Sequence, residues 1–290
     1  MMTDWYEQSM KALQLNGLGM RTQECYTRAV RMLCDFYGKS PDLVTEAELQ
    51  DYFLHRKNVN HWSPSTLRIC YCGIRFFFVH VLKRDWHTFE LLRAQREKKL
   101  PAVLSAQEVR HLLGCVHTPH NRAFLSTVYA CGLRLQEALH LEVADIDSSR
   151  LMLHIHRGKG AKDRFVPLPH TTLNLLRAHW RTHRHPRLLF PALGRSGRGA
   201  SQALSPMAKS SVQGAFRKAL REAGIRKRGV CVHTLRHCYA THLLEAGVNL
   251  RLIQRYMGHA TLETTMIYLH LTQKGHEDAY GLIDQLMGDL

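Results

Sequence analysis

The sequence has no uninterrupted apolar run near the ~18 residues that would cross a bilayer. Its first fifteen residues, Met1–Leu15, interleave Asp4, Glu7 and Lys11 with apolar side chains and form no export-signal core. It also lacks a C-x-x-C pair: the eight cysteines stand at positions 25, 34, 70, 72, 115, 131, 231 and 238. With neither an export signal nor a disulfide-like array, the expected compartment is the reducing cytoplasm, and no membrane partner is expected. No internal repeat is present. Acidic residues are scarce, 24 Asp+Glu against 40 Lys+Arg, so the formal charge is +16. Such an excess points to a polyanionic partner, nucleic acid before a membrane surface. The excess is uneven: residues 1–95 hold 12 basic and 10 acidic side chains, residues 96–290 hold 28 and 14. Most phosphate contacts are therefore expected from the C-terminal part.

What the sequence does have is 45% hydrophobic residues, enough for a real core, and a length that suggests two domains. Tyr26, Val30, Leu33 and Tyr37 recur at helical spacing, and so do Leu67, Tyr71, Ile74, Phe78 and Leu82. Ser63 before Pro64 is a start signal for the second of these helices, and Leu49–Leu54 reads as a shorter one. Residues 1–95 thus read as a small all-helical domain and 96–104, with its charged Arg96–Lys99 run and Pro101, as a linker.

The second domain, 105–290, opens with Ser105 and Glu108, a capping box, and continues in helices to about Leu141. Leu151–Ile155 and Phe165–Leu168, around the polar turn Gly158–Asp163, read as a β-hairpin. Further helices are expected near Thr171–His183, Ser205–Ala223, His233–Ala246, Leu250–Met257 and Thr261–Leu271, and Arg195–Ser201 as a loop. A last amphipathic segment carries Leu282, Ile283, Leu286 and Met287. The fold class is mainly α, with a small antiparallel sheet in a mixed α+β second domain.

Four segments carry chemistry. In His233-Thr234-Leu235-Arg236-His237, His233 and Arg236 share a helix face, which suits a phosphate. Gly258-His259 ends one helix, and Tyr268 follows nine residues after His259. In Gly132-Leu133-Arg134-Leu135-Gln136-Glu137 the carboxylate can hold the guanidinium, although such a pair is often only a helical ion pair. Gly158-Lys159-Gly160 puts a lysine at the hairpin tip. A metal is not expected: His233 and His237 sit at i, i+4, but Thr234 stands where a zinc protease needs Glu, and Arg181 and Arg184 interleave His179, His183 and His185.

Taken together, Arg134, Glu137, Lys159, His233, Arg236, His259 and Tyr268 occur in the order and contexts of the tyrosine recombinase (phage integrase) family, and the chain resembles its Xer-like and transposon or integron branch. Val232–Leu269, with HTLRH, ATHLLEAG, MGH and Tyr268, carries most of the likeness. The resemblance implies a SAM-like core-binding domain at 1–95 and a catalytic domain at 105–290. It implies that Tyr268 attacks the scissile phosphate, that Arg134 and Arg236 hold the non-bridging oxygens, and that Lys159 protonates the departing 5′-oxygen. His233 would assist proton transfer with the nucleophile, His259 would bind the phosphate and Glu137 would orient its neighbours. No cofactor, metal or ATP is implied.

The implied partners are double-stranded DNA with inverted half-sites and a homo-tetramer on DNA, a dimer per site, with host accessory factors left open. The 74-residue interval from Lys159 to His233 lacks the insertion of integron integrases, and no arm-binding domain is expected before residue 1. Leu269 stands where many relatives carry a small polar residue, with no expected chemical consequence. Lys209, Arg217, Lys218, Arg221, Arg226, Lys227 and Arg228 are candidate phosphate contacts. Competing readings are a type IB topoisomerase and a non-catalytic transposition accessory protein. The recombinase reading needs a reachable Tyr268 and an Arg134 and Arg236 that converge on one phosphate.

Overall fold

The computed structural model describes residues 4–91, 100–156, 163–194 and 199–271. Lys159 with residues 158–162 of the expected hairpin turn, residues 96–99 of the linker, residues 195–198 of the expected loop and the C-terminal segment Leu282–Met287 lie outside the described residues. The chain divides into two units, Met1–Lys99 and Leu100–Leu290.

The first unit is helical: α1 Asp4–Leu15, α2 Met20–Tyr37, α3 Glu46–Asn58, α4 Pro64–Phe76 and α5 Thr88–Leu91. Ser63 caps α4 by accepting from the Thr66 amide, with Pro64 at the first helical position. The α4 helix runs on through one wide turn, Phe77–Val81. The helix expected at Leu49–Leu54 is longer because Thr45 and Glu48 close a capping box ahead of it. Val30, Leu33, Leu49, Ile74 and Phe78 lie at the centre of an aromatic-rich core, while Tyr26 and Tyr37 stay half-buried.

The second unit begins with α6 Ala106–Gly114, capped by the Ser105–Glu108 box, then α7 Pro119–Ala130 and α8 Leu135–Leu139. A three-stranded antiparallel sheet follows: β1 Ile146–Asp147, β2 Met152–Ile155 and β3 Arg164–Pro167, in the order 1-2-3. β1 adds a strand to the expected hairpin. Its two residues are too few to show period-2 alternation, so its sequence carried no signal. Leu153, Ile155 and Val166 enter the core, and His154 pairs with Phe165 on the opposite face.

The remaining helices are α9 His170–His183, α10 Lys209–Glu222, α11 Val232–Glu245, α12 Leu250–Met257 and α13 Glu263–Met266. α10 starts four residues later than expected, since Pro206 holds Ser205 extended and bridges to Pro191. The single helix expected over Thr261–Leu271 is not formed. α13 is one turn, a 3-10 turn follows at Leu269–Leu271, and Tyr268 falls between them. α7 sits within a core that includes Phe124, Leu125, Val128, Leu153, Phe190, Phe216 and Leu235. Among the described residues no helix is long and apolar enough to cross a membrane.

Candidate active site

Gly132 ends the turn after α7 with φ +60, and a Cβ there would lie 2.3 Å from the Tyr239 ring. That left-handed residue turns the chain so that Arg134 becomes the N-cap of α8 and Glu137 its third residue. Glu137 Oε2 accepts from the Arg134 amide at 2.8 Å, and Oε1 accepts from Arg134 Nη1 at 2.7 Å. Arg134 Nη2 also donates to the Gly258 carbonyl at 3.1 Å.

Arg236 enters from α11 and is 1% exposed. Its Nη1 donates to the Gly132 carbonyl at 2.6 Å, its Nη2 donates to the Met257 carbonyl, and Nη1 lies 3.9 Å from Glu137 Oε2. The guanidiniums of Arg134 and Arg236 thus grip the consecutive carbonyls of Gly258 and Met257 and share one carboxylate. They converge. Burial, then the neighbouring Arg134, pulls the Arg236 pKa down to about 9, which leaves it charged at neutral pH.

A third guanidinium, Arg164 on β3, escaped the sequence reading. It donates to Glu137 through Nη1 at 2.9 Å and Nη2 at 2.7 Å, and through Nε to the Tyr256 carbonyl at 2.8 Å. Burial alone would raise the Glu137 pKa; the bonds and charge of Arg164, joined by Arg134, outweigh it and bring it to about 2. One carboxylate against three guanidiniums leaves a surplus of positive charge in the site.

α12 ends at Gly258, which is left-handed at φ +58; a Cβ would meet Arg164 Cδ at 2.9 Å. The chain then reverses to place His259, whose Nδ1 bonds the Thr265 hydroxyl at 2.9 Å. The His259 ring lies 6.3 Å from the Tyr268 ring and nearly parallel to it. The hydroxyl of Tyr268 hydrogen-bonds His237 Nδ1 at 3.1 Å, not His233. His233 lies one turn from His237, the rings 4.7 Å apart, at the solvent-exposed mouth of α11.

Burial holds His237 near pKa 4 and His259 near 3, with His233 depressing the first and Arg236 the second. Both imidazoles are therefore neutral at physiological pH, and the site's positive charge comes from the guanidiniums. Burial pushes the Tyr268 pKa up to about 12 even though Arg236 and Arg134 pull it down.

Tyr268 is also 1% exposed, which overturns the expectation of a phenol open to a phosphate. Its ring packs with Tyr239, Ala240, Ile253 and Met257, because the short α13 folds the segment back on α11 and α12. The hydroxyl nonetheless keeps a polar partner, the neutral His237 imidazole, and feels the charges of Arg236 and Arg134.

The structure thus brings together Arg134, Glu137, Arg236, His259 and Tyr268, with His233 beside them. The second set, Lys209, Arg217, Lys218, Arg221, Arg226, Lys227 and Arg228, is exposed on α10 and the turn after it, opposite the buried Val212, Phe216 and Ala219. Lys227 is already engaged, donating to Glu108 at 2.7 Å. His179, His183 and His185 are buried core groups: His183 Nδ1 accepts from the His185 amide, and His185 Nδ1 from those of Arg187 and Leu188.

Known proteins share this arrangement of sequence and fold. The model of the phage integrase family matches residues 102–274, and that of the phage integrase N-terminal SAM-like domain matches residues 5–88. The protein y4qK of Sinorhizobium fredii is 37% identical over 271 residues, spanning 93% of this chain and 85% of that protein. The tyrosine recombinase XerA of Thermococcus kodakarensis is 31% identical over 283 residues, 96% of this chain and 95% of that one. Among solved structures, a lambda integrase dimer bound to a COC′ core site superposes with TM-score 0.73 at 15% identity, covering 91% of this chain and 94% of that one. The XerH site-specific recombinase bound to palindromic difH substrate gives 0.71 at 21% identity, covering 94% and 83%. These two share the fold.

Proposed function

Because the chain belongs to the phage integrase, or tyrosine recombinase, family, we propose that it is a site-specific DNA recombinase that cuts and rejoins strands through a 3′-phosphotyrosyl link. The observation that supports this most is the meeting of Arg134 and Arg236, through one carboxylate and two adjacent carbonyls, near enough to Tyr268 for both charges to lower its pKa.

Tyr268 Oη attacks phosphorus, and the bond to the 5′-oxygen breaks. The phenol proton passes to an imidazole; His237 is the one in hydrogen-bond reach in this closed state, and His233 is the one implied by the resemblance. Lys159 supplies a proton to the 5′-oxygen. Arg134 and Arg236 hold the non-bridging oxygens, where charge grows in the transition state. Glu137 and Arg164 fix the two guanidiniums in place. The phosphotyrosyl bond keeps the energy of the broken linkage, so a 5′-hydroxyl from a second site can attack it and release Tyr268 without ATP. Exchange then proceeds through a Holliday junction in a tetramer, two subunits per site, on inverted half-sites gripped by both domains. Residues 282–287 supply the contact between subunits.

A phenol 1% exposed cannot reach a duplex phosphate, so attack requires the Glu263–Leu271 segment to leave its place on α11 and α12. Among the groups around it, Arg236 and Arg134 favour the phenolate that burial disfavours here.

Two plasmids that each carry the chain's target site provide the test. Joint recombinant circles are expected. Relaxation of supercoils without exchange points instead to a type IB topoisomerase, and site binding with neither reaction to an accessory protein.

A further inference from the structure

On the outer face of the hairpin, away from the core-facing Leu153, Ile155 and Val166, stands a cluster of three metal-ligating groups. His154 lies on β2 and His156 just past the strand's end, two residues on, and the two rings meet on one face with centroids 3.9 Å apart. Asp163 lies just before Arg164, the β3 partner of Ile155, which sets it across from His156. Asp163 Oδ2 is 3.4 Å from His154 Nε2 and 3.6 Å from His156 Nδ1. One donor atom from each of the three residues lies within 4.8 Å of the others. A tetrahedral ion with bonds of about 2.0–2.2 Å spaces its donors about 3.3–3.6 Å apart, so both carboxylate–imidazole edges already have the required length.

The surroundings orient the donors. His156 Nε2 lies 2.8 Å from Asp145 Oδ1. Asp145 is itself buried, and its Oδ2 accepts from the Glu142 amide at 2.8 Å, which holds the carboxylate still. A carboxylate on Nε2 takes that N–H and leaves Nδ1 unprotonated toward Asp163, the arrangement that carboxylate–histidine–metal sites use. The His154 ring is stacked on Phe165, centroids 4.4 Å apart and 10° from parallel, so its plane is set as well. His154 is 26% and His156 55% exposed, which gives a hydrated ion a way in and leaves room for a water as the fourth ligand.

We propose that His154, His156 and Asp163 form a binding site for a divalent transition-metal ion of the zinc class, with Asp145 as the positioning residue for His156. Two imidazoles and one carboxylate favour such an ion over calcium or magnesium, which take oxygen donors. The ion ties β2 to β3 at the two ends of residues 157–162, a stretch that includes Lys159. The proposal does not depend on the recombinase reading.

The chain has 20 histidines and eight cysteines, so background metal uptake is certain and the readout is a difference between proteins. Full-length, chelator-stripped protein is titrated with Zn²⁺ by calorimetry and with Co²⁺ by visible absorption. The same is done for the double variant His154→Gln/His156→Gln and for Asp145→Asn, with circular dichroism to verify folding. The wild type should bind one more equivalent than the double variant. Asp145→Asn should keep that equivalent but bind it roughly 10–100-fold more weakly. Equal stoichiometry and affinity in the wild type and a folded double variant would overturn the proposal, as would an Asp145→Asn protein that binds like the wild type. Should the double variant fail to fold, the single variant His156→Gln, its ring more than half exposed, takes its place with the same expectation of a lost equivalent.

Discussion

Glu137 and Arg164 meet through two parallel N–H···O bonds of 2.9 and 2.7 Å, with only 7% of either side chain exposed. The pair joins α8 to β3, and the same carboxylate holds Arg134. Removing Arg164 takes two bonds from Glu137 and leaves the carboxylate to Arg134. Arg164→Ala should therefore lower stability toward the lower end of the roughly 3–5 kcal/mol that an unpaired buried charge costs, and Arg164→Lys should recover only part, since an ammonium cannot make the parallel fork. Denaturant unfolding of the three proteins checks this; an unchanged midpoint for Arg164→Ala would contradict it.

The site sets an acid limit. The Glu137 pKa is lowered in the folded chain to about 2 from an ordinary 4.5, so its stabilisation is present above pH 4.5 and is lost as pH falls toward 2, about 3 kcal/mol in all. His237 and His259 are lowered to about 4 and 3 from 6.5. There the unfolded chain binds more protons, so stability falls as pH drops below 6.5, ending near those folded values. The three effects have the same sign. Thermal melts should decline continuously from pH 7 to pH 4, and Glu137→Gln should flatten the portion below pH 4.5.

Gly132 is fixed by two demands, a left-handed φ and the Tyr239 ring, which occupies the place a Cβ would need. Gly132→Ala should cost about 2 kcal/mol or more, part from backbone strain and part from the clash. Adding Tyr239→Leu should relieve only the second part. A double variant less stable than the sum of the single changes would contradict the clash.

Much of this site was legible in the sequence and some was not. Ser63, Ser105 and Glu108 cap the helices they were read to cap, because capping is a contact between residues three apart. Gly258 ends α12 in the left-handed conformation, as a glycine after an apolar periodic run should. Arg164 was missed because its partners are 27 and 92 residues away. The signal was there in the strand's alternation, which puts Arg164 on the same inward face as Val166 with Phe165 outside, and an inward charge needs a partner. His237 was weighed only as a metal ligand. Neither its bond to Tyr268 nor the phenol's burial follows from spacing, since both depend on α13 stopping after one turn.

Residues 275–290 carry the apolar set Leu282, Ile283, Leu286 and Met287 at helical spacing. Their deletion should leave binding to a single site largely intact and abolish cooperative assembly of two sites. Gel-shift titrations with one and two sites separate these effects; normal two-site assembly by the truncated chain would contradict the role given to the segment.

The central claim is that the Tyr268 hydroxyl becomes bonded to DNA. Mixed with a duplex bearing the chain's own target site and a nick that lets the cleaved end diffuse away, the wild type should accumulate a denaturation-resistant protein–DNA adduct. Peptide mapping should place the DNA on Tyr268, and Tyr268→Phe should bind the duplex equally and yield no adduct. An adduct that persists in Tyr268→Phe, or a wild type that binds its site and forms none, would contradict the account.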